Sequence, residues 1–257
     1  MAPQGNRRAP VAVATASGMA ELRPDPAWPR AWTLVVDGVA QSYVDLADPE
    51  HLDLGYLTLI GVVLRRVAPA GVPLTVLHLG GGGLALPRLL DHLRPGSAQR
   101  VVERDADLAA LVTRLLPPPP AIDLVIGDAR ERLEAEEPGR YDVIVSDVFE
   151  GAWAPRSVTT VGYAEAARRA LRPDGLFVVN VTDEPPLAHT ATQVATLRAV
   201  FPDVRAVASA GMLRGRRAGN VILLGATEVR PSIGPLVTGP EWDGFAVGAK
   251  PLLDEPA

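Results

Sequence analysis

The chain has 257 residues, 47% of them hydrophobic and 21% charged, with a net charge of −5 and a pI near 5.4. That length buries one substantial core and the balance excludes disorder along the whole chain, while the acidic character argues against nucleic acid as the main partner, because phosphate neutralisation needs a concentrated basic face. The chain has no cysteine, which excludes disulfides and thiolate metal sites; His51, His78, His92 and His189 show no paired ligand spacing, so no metal is expected.

In chain order, residues 1–18 are rich in Ala, Pro and small polar residues without periodicity and are expected to form a disordered tail. Arg7 and Arg8 precede a stretch too weakly apolar for a secretory leader, and the apolar run Tyr56 to Leu64 is far shorter than the roughly 20 residues that span a bilayer. The protein is therefore read as cytoplasmic, with no membrane partner. Residues 19–70 are read as a small β-hairpin appendage with a lead-in helix. The hairpin is Trp32 to Val36, Asp37-Gly38, then Val39 to Val44, since Asp-Gly between β-prone runs favours a type I′ turn. The helix is Leu54 to Val67, from its near-helical apolar spacing.

Residues 71–226 alternate strand and helix. Strands are expected at Val76 to Leu79, Arg100 to Glu103, Asp123 to Ile126, Asp142 to Ser146, Leu176 to Val181, Val204 to Ala208 and Asn220 to Leu224. Helices are expected at about Pro87 to Leu93, Ala106 to Leu116 and His189 to Val200. The alternation implies an α/β domain with parallel strands and right-handed crossovers, and the loop Gly211 to Gly219 is long enough for the last strand to run antiparallel. Arg214, Arg216 and Arg217, the tightest basic cluster, read as a solvated loop. Residues 227–257 are read as a loose Pro/Gly-rich tail.

The strongest local signal is Thr75 to Ala85, TVLHLGGGGLA, a buried strand entering a glycine turn that opens a helix. Glycines permit positive φ and remove Cβ atoms that would hold a ligand off, and the helix start offers unpaired N–H groups. Gly80, Gly82 and Ala85 satisfy a G-x-G-x-x-A spacing, with Gly81 between them. Glu103, ending the next apolar run, is placed to accept from ribose hydroxyls. Asp128, after the third strand in Gly127-Asp128-Ala129, either accepts from the exocyclic amine of a base or caps a helix from Ala129 to Leu133. Asp147 ends the fourth strand, where it is either a reacting carboxylate or a loop cap. Ligands of open parallel sheets sit at such strand ends.

Taken together these segments resemble the spermidine synthase-like polyamine aminopropyltransferases, which share the Rossmann-like class I S-adenosylmethionine-dependent methyltransferase fold. The resemblance runs from about Trp32 to Ala226. Val35 to Gln41 is similar to the family's hairpin, whose glutamine approaches the nucleoside; Leu79 to Leu84 to its glycine loop; Val102 to Asp105 to its ribose segment; Gly127 to Ala129 to its adenine turn; and Tyr141 to Asp147 to the strand that delivers its catalytic aspartate. The resemblance implies decarboxylated S-adenosylmethionine, or S-adenosylmethionine, as co-substrate, a small-molecule amine as acceptor, and a homodimer. It also implies Asp147 as catalytic residue, Gln41, Gly80, Gly81, Gly82, Glu103, Asp128 and Ala129 around the nucleoside, and Glu150 holding the distal ammonium of a diamine. Tyr56 is either a wall of that pocket or a core residue. The chain departs from the family where Gly83 replaces an aspartate, where Asp147-Val148-Phe149-Glu150-Gly151 carries its second acid as a glutamate, and where Met212-Leu213-Arg214 replaces a tyrosine-proline segment. A methyltransferase on the same scaffold and a non-catalytic nucleoside-binding or assembly module are the alternative readings.

Overall fold

The computed structural model describes residues 8–213, 216–228 and 245–255. Parts of both expected tails, and Arg214 of the basic cluster, lie outside the described residues. Strands β1 (Val11–Thr15), β2 (Gly18–Pro24), β3 (Ala31–Val36) and β4 (Val39–Asp45) form a four-stranded antiparallel sheet in the order β1-β2-β3-β4. The β3–β4 turn has Asp37 at φ 47° and Gly38 at φ 82°, the paired positive angles that a type I′ turn requires.

The appendage is therefore larger than a hairpin, and residues 11–15 are strand rather than tail. The reason is visible in Val11-Ala12-Val13-Ala14: both faces are apolar, so the polar–apolar alternation that marks a strand is missing. Tertiary contacts decide instead. Val11 and Val13 pack against the core, and the Ser17 N–H donates to Asp105 Oδ2 at 2.7 Å.

Helix α1 (Gly55–Arg66) leads into a seven-stranded sheet. Its members are β5 (Thr75–Leu79), β6 (Ala98–Glu103), β7 (Ile122–Ile126), β8 (Tyr141–Ser146), β9 (Leu171–Asp183), β10 (Asp203–Ala208) and β11 (Gly219–Ala226). The order is β10-β11-β9-β8-β5-β6-β7. The pairs β5–β6, β5–β8, β6–β7 and β8–β9 are parallel, whereas β11 is antiparallel to both β9 and β10. Chain order reverses between β5 and β8, and the crevice outside their carboxyl ends is where this topology places a ligand.

The remaining α-helices among the described residues are α2 (Ala85–Leu93), α3 (Ala106–Leu115), α4 (Ala129–Glu134), α5 (Val161–Ala170), α6 (Ala188–Arg198) and the short α7 (Ala210–Leu213). Side-chain alternation splits the core in two. Val76, Val101, Val145, Val178 and Ile222 pack beneath α1, α2, α3 and the antiparallel sheet, while Leu77, Val102, Ile144, Phe177 and Leu223 pack on α4, α5 and α6. Helix α5 carries no strong sequence signal, because its buried face is mostly alanine: Ala164, Ala167 and Ala170 beside Tyr163.

Residues 245–255 are also not loose. The Val161 N–H donates to Leu252 O at 2.8 Å, the Leu252 N–H donates to Thr196 Oγ1 at 2.9 Å, and Asp254 accepts from the Gly162 N–H and the Thr160 hydroxyl, each at 2.8 Å. Asp254 thus supplies an anion at the start of α5, where the helix dipole favours one. No helix among the described residues is long and apolar enough to cross a membrane.

Candidate active site

A cavity of about 320 Å³ opens at the β5–β8 crevice, roofed by β3 and β4. Gly80, at φ 93°, takes a conformation open to glycine, and a Cβ there would stand 2.2 Å from Asp147 O. Glycine at 80 therefore lets the ends of β5 and β8 meet. The Gly81 and Gly82 N–H groups, expected to be free for a ligand, instead donate to Glu103 Oε2 at 3.0 and 3.2 Å, and the Asp105 N–H donates to Oε1 at 3.0 Å. Glu103 is almost fully buried and lines the cavity. An ionised carboxylate offers about four acceptor directions, so three bonds leave one, on Oε1.

Asp128 Oδ1 accepts from the Arg130 and Glu131 N–H groups at 2.8 and 3.1 Å, so the helix cap is formed, and the residue still lines the cavity beside Ala129. From the roof, Gln41 reaches across the opening and donates to Gly151 O at 3.3 Å. Tyr56 is a wall residue: it lines the cavity, and its hydroxyl donates to Gln41 O at 2.5 Å. Burial, and then the charge of Asp147, hold its pKa well above the ordinary phenol value.

Asp147 lies across the cavity from that roof, just beyond β8. Burial pushes its carboxyl up to about 6, opposed by the Asn180 side-chain amide, which donates to Oδ1 at 2.8 Å. The network continues: Asn220 Nδ2 donates to Asn180 Oδ1 at 3.0 Å and to Thr182 Oγ1 at 3.2 Å. Because β11 runs antiparallel, Asn220 at its start pairs with Thr182 near the end of β9. The sequence reading did not single out Asn180, Thr182 or Asn220, all of which line the cavity. The available signal was Asn180 interrupting the apolar run Phe177-Val178-Val179.

One expected site residue, Glu150, is not brought to the cavity, and position 83, where the sequence departs from the family, is filled by packing. Glu150 does not line the cavity; its carboxylate pairs with Arg104 at the surface, with both side chains about half exposed (54% and 52%). The local cause is the turn, since Glu150 and Trp153 form a backbone bridge that sets Glu150 outward. At Gly83, a Cβ would stand 2.8 Å from Ser42 Oγ and 3.1 Å from Val44 Cγ2, so β4 packs where a side chain would project.

A glycine turn tied to a buried glutamate at a switch point, with a second carboxylate on the next strand, defines a class I methyltransferase-like α/β fold. A solved structure described as a probable spermidine synthase from Corynebacterium glutamicum is 30% identical, covers 97% of this chain and 98% of that one, and superposes with a TM-score of 0.88. The chain belongs to the spermidine synthase-like aminopropyltransferase family. A polyamine aminopropyltransferase from Chromobacterium violaceum is 30% identical over 148 residues, 54% of this chain and 53% of that protein, so the chain spans about half the length of this curated relative. A spermidine synthase solved with the transition-state analogue AdoDATO shares the fold at 18% identity, with a TM-score of 0.67 over 86% of this chain and 74% of that one. No family model matches the chain.

Proposed function

We propose that this protein transfers an aminopropyl group from decarboxylated S-adenosylmethionine to a small-molecule amine. The observation that carries the reading is Asp147, a carboxylate with a pKa near 6 held at the mouth of the glycine turn. In the reaction the acceptor nitrogen attacks the methylene next to the sulfonium, the N–C bond forms, the C–S bond breaks with its electron pair going to sulfur, and methylthioadenosine leaves. A primary ammonium has a pKa of about 10, as lysine does, so the site must deliver the neutral amine. Asp147 orients the ammonium and accepts its proton; a base with a pKa just below neutrality is ionised and available at working pH.

In this reading the free acceptor direction of Glu103 takes a ribose hydroxyl. Asp128 and Ala129 face the base, Gly80 to Gly82 let the sugar approach the backbone, and Gln41 and Tyr56 close the roof. The cytoplasmic location and the homodimer belong to the same reading; sedimentation of the purified chain tests the second.

The reaction is tested by incubating the chain with decarboxylated or intact S-adenosylmethionine, each with putrescine or spermidine, and following products by mass spectrometry. Methylthioadenosine together with an aminopropylated amine is expected from the decarboxylated form. Methyl transfer from the intact form, or no product from any pair, would overturn the proposal.

A further inference from the structure

The proposed chemistry leaves a buried histidine of the cavity without a task. His78 lies on β5, is 2% exposed, and lines the cavity. It faces the same side of the sheet as Asp147: it pairs in register with Val145, two residues before Asp147 on the neighbouring strand. Strand rise and spacing then put the two Cα atoms on the order of 8 Å apart.

The hydrogen-bond network fixes the tautomer. Gln99 Nε2 donates to Pro87 O at 3.0 Å, and a backbone carbonyl only accepts, so the amide nitrogen must face it. Gln99 Oε1 therefore faces His78 Nε2, at 3.0 Å, and Nε2 carries the proton. Burial pushes the ring down to about 4, so it is neutral near physiological pH. Nδ1 is left as a bare acceptor, buried and without a partner among the described residues. Such an atom is costly to leave unpaired, and a cavity residue that carries one is suited to a ligand donor.

We infer that His78 Nδ1 accepts a hydrogen bond from a primary amine bound in this cavity, either the terminal amine of the nucleoside's aminopropyl tail or the amine of the acceptor. This rests on the proposed function. The other groups are committed elsewhere: position 83 carries no side chain and is crowded by Ser42, Glu150 is paired with Arg104, the one acceptor direction that three backbone N–H groups leave on Glu103 goes to the ribose, and Asp147 serves the reacting amine. A neutral imidazole thus takes a place that would otherwise need a carboxylate. The cavity is left with fewer negative charges than a site that pairs each ammonium with its own anion.

The test is calorimetry on the full chain. Methylthioadenosine is compared with S-adenosyl-3-thiopropylamine, the same thioether nucleoside with an amine-bearing tail, and in a second arm putrescine is titrated into the methylthioadenosine complex. The variants are His78→Leu, His78→Met and His78→Gln. A hydrogen bond from a charged donor in a buried site is worth about tenfold in affinity. The amine's advantage in one arm should therefore disappear in the two apolar variants and return in part in His78→Gln, with methylthioadenosine binding equal throughout as the check on folding. The arm that responds identifies the source of the amine. If the apolar variant that binds methylthioadenosine normally keeps the full amine advantage in both arms, the inference is overturned. If the wild type binds no methylthioadenosine, the proposed function itself falls, and this inference with it.

Discussion

At the β5–β6 end of the crevice the structure is made by backbone and by a carboxylate serving the backbone: Gly80 at the strand contact, and Gly81, Gly82 and Asp105 N–H groups converging on Glu103. At the β8–β9–β11 end it is made by side chains serving one another, with Asp147 held by Asn180, and Asn180 by Asn220. The first arrangement has little freedom to vary in chemistry. The second can change its ligand by changing a side chain, so the two ends should answer mutation differently.

The largest effect is expected at Asp147. Asp147→Asn keeps the shape and an oxygen for Asn180 but removes the base, so turnover should fall about 100-fold while methylthioadenosine affinity stays within about twofold. The pH profile sharpens this. The carboxyl titrates near 6, so wild-type activity should fall as pH drops below that value, and the variant should lose that limb while keeping the rise due to acceptor deprotonation. Stability should move the other way. The folded pKa lies above the ordinary value of about 4, so the folded state binds more protons between pH 4 and 6 and stability declines as pH rises through that window. Chemical denaturation at pH 7.5 should find Asp147→Asn more stable than wild type, by up to about 2 kcal/mol, with the difference gone near pH 4. Equal turnover in the variant would remove the distinction between the two ends.

Glu103→Gln tests the backbone end. Three N–H groups point at a carboxylate that only accepts; an amide would turn an N–H₂ toward at least one of them. The expected result is about tenfold weaker methylthioadenosine binding and a loss of about 1–2 kcal/mol of stability, with turnover at saturation little changed. Calorimetry and steady-state kinetics separate the two parts. A variant that lost turnover and kept affinity would place Glu103 with the reacting groups.

The same contrast explains what could be read from the sequence. The glycine turn, Glu103 and Asp147 are legible because each is local: a glycine run after an apolar strand, or an acid that ends one. His78, Asn180, Thr182 and Asn220 become neighbours only once β5, β8, β9 and β11 lie side by side, an adjacency fixed by long-range pairing. Asp254 is harder still, for its partners on α5 are some 90 residues distant in sequence. β1 and α5 are illegible for a related reason: valine on one face of β1 and alanine on the other, and alanine along the buried face of α5, remove the contrast on which periodicity depends.

The smallest effect is expected at Glu150, although the family resemblance gives it a role in holding a diamine. Its carboxylate pairs with Arg104 and does not line the cavity. An ion pair between two half-exposed side chains contributes about 0–1 kcal/mol. Glu150→Ala should therefore leave the denaturation midpoint close to wild type and change the KM for putrescine by less than about twofold. Raising the salt concentration should make the variant and wild type indistinguishable, since screening removes what little the pair adds. A tenfold rise in KM with unchanged stability would mean instead that Glu150 leaves Arg104 and turns toward the acceptor during the reaction; the reacting end would then hold two carboxylates, and the cavity would no longer be short of negative charge.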